Sequence, residues 1–356
     1  MKSTHWREEA LPVTVVIPHI GKSEILYTCL RSLTNETRIA FDVLIVDNGS
    51  DLQESRVAEI LPRFRIVKNA RNLGFAGGCN AGLRQVHTPY AVLLNNDTEV
   101  GANWLSSLVA FMEENPRVGA CQPKILSLRF PGQFDYAGGM GGLLDRFGYP
   151  FAIGRIFDFL EEDTGQYDGH FSVFWASGTA MMLRMAALEK TGLLDEDFFA
   201  HMEEIDLCWR LHLTGYEVAS VSESVVYHYS GYSLGHEAHR KMYLNHRNNW
   251  VMLLKNYAWR TLLWLVPMRL FFEGATLTVS ILKRDFKRAW AVVRALGFVF
   301  LHIGKIGKKH REVQKQRQVS DLRIFEKLYR GSIVWQYFVR GRKRVSELKG
   351  CLVWRK

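Results

Sequence analysis

At 356 residues the chain has room for one large α/β domain and a smaller appendage. Apolar residues make up 47%, with 21 Phe, 13 Tyr and 10 Trp, so a sizeable core is available and disorder is not indicated. The formal charge of +10 is unevenly divided: residues 241–356 carry 26 Lys/Arg against 6 Asp/Glu, whereas residues 1–240 carry 20 against 30. A basic block on an acidic globular part points to an anionic partner for the block alone, either lipid headgroups or nucleic acid.

Cys29, Cys79, Cys121, Cys208 and Cys351 are scattered without a C-x-x-C pair, which suits free thiols in a reducing compartment. The first apolar stretch, Leu11 to Ile17, follows Glu8-Glu9 and is too short for a secretory signal. The strongest apolar region, Leu262 to Leu282, is interrupted by Pro267, Arg269 and Glu273, so no bilayer-crossing helix is expected.

In chain order, Val13–Ile17 reads as a buried strand ended by Pro18, and Ser23 can cap a helix to about Leu33. Asp42–Val46 is a second strand, stopped by the turn Asp47-Asn48-Gly49-Ser50. A helix near Glu54–Leu61, a strand Phe64–Val67 and a Gly-rich turn from Asn72 to Asn80 follow. Tyr90–Leu94 is a further strand, ended by Asn95-Asn96-Asp97, with a helix at Trp104–Glu113 behind it. This alternation predicts stacked βαβ units with the ligand site at the carboxyl ends of the strands. Between Gly132 and Gly169 glycine is frequent and periodicity poor, which predicts a mobile loop. Order returns at Phe174–Leu183, then a helix from Glu203 to Leu213 and strands at Glu217–Val221 and Val225–His228. Past Arg240 the pattern is helical, with Tyr243–Tyr257 and then Arg260–Lys309 mixing aromatics with Lys/Arg. Residues 1–240 and 241–356 are therefore read as two domains.

Four groupings carry possible chemistry. Asp47 can accept from a base imide or a ribose hydroxyl, or simply close its own turn. The glycines of Asn72–Asn80 let backbone N–H groups approach an anion, or pack a tight βα turn. Asn95 and Asp97, two apart at a strand end, can hold a divalent cation or cap the next helix. In Glu203-Glu204-Ile205-Asp206, Glu203 and Asp206 share a helix face and Glu204 is rotated away, free to act as general base. His228 follows a short strand, and His236-Glu237-Ala238-His239 lacks the i, i+4 histidine pair of a zinc helix.

Taken together, VTVVIPHIG, VLIVDNGSD, NARNLGFAGGCNAG, YAVLLNNDTEV, FWASGTAMMLR, DEDFFAHMEEIDLCWRLHLTGYEV and VVYHYSG resemble the family 2 nucleotide-sugar glycosyltransferases. The likeness is to rhamnosyltransferase-like and galactofuranosyltransferase-like members and covers Val13 to Gly231. It implies a GT-A fold, a Rossmann-like mixed sheet flanked by helices, followed here by a membrane-associating helical region. By the resemblance Pro18, Asp47, Asn72, Gly74, Asn80 and Asn96 would border the nucleotide-diphosphate donor. Asn95, Asp97 and His228 would hold Mg²⁺ or Mn²⁺, and Trp175, Ser177, Gly178 and Glu203 would line the acceptor side. Glu204 falls on the catalytic base. Two departures stand out: Asn95 replaces an aspartate, and Glu204 stands where aspartate is usual. The Q-x-x-R-W motif of processive synthases is absent.

The resemblance implies an inverting transferase that moves a rhamnose-like sugar from a dTDP- or UDP-linked donor to a lipid-linked or cell-surface glycan, peripheral on the cytoplasmic face of the plasma membrane. An anionic membrane is the expected partner of the basic helices, and nucleic acid is not, because runs such as Thr261–Val266 are too aliphatic. Competing readings are an inactive glycosyltransferase-like scaffold and a nucleic-acid-binding protein.

Overall fold

A computed structural model describes residues 12–230, 238–350 and 353–354. Leu11, Gly231, His236, Glu237 and Cys351 lie outside the described residues.

The amino-terminal half alternates strand and helix: β1 (Val13–Gly21), α1 (Ser23–Glu36), β2 (Asp42–Ser50), α2 (Glu54–Ile60), β3 (Arg65–Lys68), α3 (Gly74–Leu83), β4 (Tyr90–Leu94), β5 (Thr98–Val100), α4 (Trp104–Glu114) and β6 (Val118–Ser127). The middle adds β7 (Gly142–Leu144), β8 (Pro150–Ala152), β9 (Arg155–Ile156), β10 (Phe159–Leu160), β11 (His170–Ser172), β12 (Ala180–Arg184), α5 (Met185–Thr191), α6 (Glu203–Leu213) and β13 (Glu217–His228). Helices follow: α7 (Ala238–Asn256), α8 (Trp259–Leu282), α9 (Phe286–Leu301), α10 (Ile303–Gln316), α11 (Asp321–Lys327) and α12 (Ile333–Phe338), with β14 (Val353–Trp354) last.

Among the described residues ten strands form one mixed sheet, ordered β14-β11-β13-β6-β12-β4-β1-β2-β3, with β5 on β13. The β1, β2, β3 and β4 pairings are parallel, and β12 lies antiparallel between β4 and β6. Continuous apolar runs make these strands because both faces are covered. Val13, Val15 and Ile17 face α1 and α4, in a cluster with Leu30 and Trp104. Val16, Leu44 and Val46 face the other way, in a cluster that takes in Leu207 of α6 and Tyr257, Ile306 and Ile333 of the later helices. This is a GT-A-like sheet with flanking helices.

Several sequence expectations change here. β2 runs on through Asp47–Ser50. Ser23 does not cap α1, because its hydroxyl donates to Asp51 Oδ1 at 2.6 Å. Asp97-Thr98 does not cap α4, whose N-cap is Asn103. The two short strands before His228 are one strand with an irregularity between Val221 and Val225. The largest correction concerns Gly132–Gly169, read as a mobile loop. It contains a second sheet, β10-β9-β8-β7, around buried Phe134, Leu144, Phe151 and Ile156. Its two- and three-residue strands are too short for a period-2 signal, and tertiary packing overrides the glycines.

The interruptions expected in the apolar segment do not break α8, which runs 24 residues through Pro267. By length and composition it is long and apolar enough to cross a membrane. Arg269 and Glu273 do not interrupt its outer face because they are buried and pair with each other at 3.1 Å.

Candidate active site

The sheet assembles one side of the site. The turn after β4 is locked by Asn95 N–H donating to Thr179 O at 2.9 Å and Thr98 Oγ1 donating to Asn95 O at 2.7 Å. β5 then pairs with the end of β13, Thr98 opposite His228, which brings Asp97 to His228, 131 residues apart in sequence. His228 Nε2 lies 3.1 Å from Asp97 Oδ1, and Nδ1 lies 2.9 Å from Asp135 Oδ1. Burial alone would depress this imidazole; hydrogen bonds to Asp135 and Asp97 outweigh it and raise the pKa to about 9. Asp135 also accepts from Ser230 Oγ at 2.9 Å and Ala137 N–H at 2.7 Å, while its Oδ2 is buried without a partner.

The other side is the start of α6. The chain enters it through left-handed backbone at three non-glycine residues, Phe199 (φ 64°), His201 (φ 70°) and Met202 (φ 71°). Such conformations cost about 1–3 kcal/mol each and persist only when neighbours hold them. The holder is Asn248 of α7, whose amide nitrogen lies 2.7–3.0 Å from the carbonyls of Phe198, Ala200 and His201. Glu203 and Glu204 follow, each with a buried, unpartnered Oε2. Burial, then the neighbouring Glu204, raises the Glu203 carboxyl well above the carboxylate range. Burial raises Glu204 to about 7. Asp206 is turned into the core, where it accepts from Lys255 Nζ at 2.8 Å, Arg210 Nε at 2.9 Å and Asn256 Nδ2 at 2.8 Å.

Asn95, Asp97 and His228 line a cleft of about 530 Å³ together with Glu203 and Glu204. Trp175, Ser177 and Gly178 line it as well. The Trp175 indole donates to Leu143 O at 2.9 Å over Gly142, where a Cβ would collide with the ring. The Ser177 hydroxyl is committed to the cleft wall, donating to Ala137 O at 2.5 Å and accepting from Thr179 N–H at 3.2 Å.

Pro18, Asp47, Asn72, Gly74, Asn80 and Asn96 are not in that lining. Asp47 sits beside His19 in the β1–β2 register, and its Oδ1 accepts from Gly49 N–H, Ser50 N–H and Ser50 Oγ at 2.8–3.0 Å. One of its oxygens therefore closes the turn. Pro18 lies on β1 close to Gly78, and Asn96 Nδ2 reaches His19 Nδ1 at 2.6 Å. Asn72 Oδ1 accepts from Gly74 N–H at 2.8 Å, and Gly74 needs φ +74° and no Cβ because Phe199 abuts it. Asn80 is buried, donating to Leu194 O and Glu196 Oε1 and accepting from Leu194 N–H.

Asn48 and Asp135 escaped the sequence reading. Asn48 is buried, donating to Gly74 O at 3.0 Å and accepting from Asn69 at 2.8 Å, and so ties β2 to α3. Asp135 carried no readable signal because it lies in the segment taken for a loop.

The donor set at Asp97, His228 and Asn95 is oxygen and imidazole nitrogen, which suits Mg²⁺ or Mn²⁺. The 3.1 Å between Asp97 Oδ1 and His228 Nε2 is near the ~3 Å edge between adjacent ligands of an octahedral ion. The orphaned Asp135 oxygen belongs to a carboxylate that orients the imidazole, as ligating histidines commonly require. Among the described residues no group of three or more His, Cys, Asp or Glu side chains is arranged to hold a metal ion by itself.

A mixed sheet of this order, with carboxylates and an imidazole gathered at its strand ends, defines the chain as a glycosyltransferase of GT-A type. The chain belongs to glycosyl transferase family 2, whose family model matches residues 14–192. It is 25% identical to an N-acetylglucosaminyl-diphospho-decaprenol L-rhamnosyltransferase of Mycobacterium tuberculosis over 296 residues, covering 75% of this chain and 90% of that protein. It is 24% identical to a poly-beta-1,6-N-acetyl-D-glucosamine synthase of Staphylococcus epidermidis over 226 residues, covering 61% of this chain and 49% of the synthase. The solved structure of GalNAc-T7 with UDP, GalNAc and Mn²⁺ shares the fold at a TM-score of 0.52 and 15% identity, covering 70% of this chain. The match takes in about half the length of that structure.

Proposed function

We propose that the protein is an inverting transferase that moves a rhamnose-like sugar from a dTDP- or UDP-linked donor to a hydroxyl of a lipid-linked or cell-surface glycan. The carrying observation is Glu204: a shielded carboxylate with an unpartnered oxygen, raised to about 7, in the cleft that also holds Asp97 and His228. A general base works best with a pKa near the operating pH. Burial, and then the neighbouring Glu204, pushes the Glu203 carboxyl well above the carboxylate range, which disfavours two adjacent buried charges.

Glu204 removes the proton of the acceptor hydroxyl, and that oxygen attacks the anomeric carbon as the nucleoside diphosphate leaves; a single displacement inverts the centre. Pro18, Asp47, Asn72, Gly74 and Asn96 form the donor end, Trp175, Ser177 and Gly178 the acceptor wall. Asp97, Asn95 and His228 would hold Mg²⁺ or Mn²⁺, with Asp135 fixing the imidazole. The bound cation would neutralise charge developing on the diphosphate. The 1–240 unit carries this chemistry, and 241–356 rests on the anionic cytoplasmic face of the plasma membrane. The outward apolar face of α8, with Phe271 and Leu282 exposed, supports lipid over nucleic acid.

Glu204→Gln should lower kcat by roughly 10²- to 10⁴-fold while nucleotide-sugar binding, read by thermal stabilisation with and without Mn²⁺, is kept. Undiminished turnover would overturn the assignment.

A further inference from the structure

One wall of the cleft carries positive charge that the proposed reaction has not used. Arg155 of β9 lies over the Tyr136 ring at 4.1 Å, and Lys241 of α7 lies near the same ring at 4.9 Å. All three side chains line the cleft. Neither cation has an ion pair or side-chain hydrogen bond among the described residues, and Arg155 Nε is buried without a partner. Asp158, on the same wall, is exposed and pairs with neither. Burial, and then Lys241, holds His201 nearby down to about 4, so that imidazole does not add a third charge at neutral pH.

Two like charges on one ring are held apart from acids at a cost that an incoming anion would repay. The wall also leads somewhere. Tyr149, another cleft residue just before β8, packs on Phe272 of α8 with ring centroids 6.1 Å apart and lies under Arg269 at 4.0 Å. Phe157, beside Arg155, contacts Phe338, which is exposed. The wall thus spans from the Glu204 cleft to the helices with outward apolar faces. Asp47 and Asn48, where the nucleotide is placed, lie outside this lining.

We propose that Arg155 and Lys241, stacked on Tyr136, form an anion subsite that takes the phosphate or diphosphate of a lipid-linked acceptor. The proposal rests on the transferase reading and names the acceptor class: a sugar hydroxyl at Glu204, its diphosphate at Arg155 and Lys241, its hydrocarbon toward α8. The donor's diphosphate has the same chemistry, so binding must be measured for both.

The experiment uses the full chain and calorimetric titration with geranyl diphosphate, geraniol and UDP with Mn²⁺, for wild type, Arg155→Gln/Lys241→Gln and Arg155→Lys. A charge-matched control is Lys287→Gln/Arg288→Gln, on the exposed side of α9. The double cleft variant should bind geranyl diphosphate about 10- to 100-fold more weakly, with UDP affinity and melting temperature unchanged and the control variant like wild type. Arg155→Lys should lose less. A matching loss in the control, equal affinity for geraniol and geranyl diphosphate, or a loss confined to UDP would each overturn the proposal. Failure of wild type to bind geranyl diphosphate while it still binds UDP would remove this subsite and leave the transferase reading standing. Failure to bind any nucleotide would remove the reading itself.

Discussion

Helices α6 and α8 both bury polar residues, for opposite reasons. In α6 the buried groups are either paired or poised. Asp206 bridges Arg210 and Lys255 in an ion network that continues through Asp195 to Lys309, and the two glutamates at the helix start each keep an unpartnered oxygen where substrate would arrive. In α8, Thr261, Arg269, Glu273 and Ser280 face inward while Leu263, Phe271, Val279 and Leu282 face out, so the helix is inside-out with respect to water. Desolvation in the first case adjusts a proton affinity; in the second it falls on the polar side chains while large apolar ones stand exposed.

The contrast can be broken at its strongest point. Asp206→Ala would leave Arg210 buried without a carboxylate and Lys255 with Asp195 alone, and should cost about 3–5 kcal/mol in chemical denaturation. Asn248→Ala should release the left-handed entry to α6, lowering stability by roughly 1–3 kcal/mol and kcat more than KM. Equal kinetic constants would show that the entry to α6 is held without it.

Two smaller effects sharpen the comparison. Because burial raises the Glu204 pKa to about 7, its contribution to stability is full below the unfolded value near 4.5 and is lost as pH rises through 7. Glu204→Gln should therefore raise the melting temperature by a few degrees at pH 8 and by much less at pH 5. On α8, Phe271→Ser with Leu282→Ser should change stability by no more than about 0.5 kcal/mol per site, since both side chains are exposed, yet reduce pelleting with anionic vesicles. Unchanged pelleting would return that face to water.

Much of the sheet was legible because β1, β2 and β4 are apolar on both faces and end in polar turns, a pattern that survives without tertiary information. The cleft residues Asp97, Glu204 and His228 were legible through motif spacing. For Asp47 the sequence left two roles open, since an Asx turn and a ligand contact use the same atoms, and its Oδ1 closes the turn. The partners of Asn80 were not legible, because an amide after glycines looks alike whether it faces a ligand or, as here, bonds the backbone of Leu194. Asp135, Tyr136 and Arg155 were invisible because their segment folds only against the rest of the molecule, in strands two or three residues long. The inside-out character of α8 was missed for a related reason: Arg269 and Glu273 read as interruptions until each is seen to satisfy the other.

Glu204 and His228 both lie beyond residue 192, where the family match ends, and the entry to α6 is clamped from α7, farther still. A chimera that took this chain's first 192 residues and another member's remainder would set the proposed donor end against a foreign α6 and a foreign clamp. Exchange of catalytic character between relatives would have to cross over after Asn248, carrying the clamp along with what it holds.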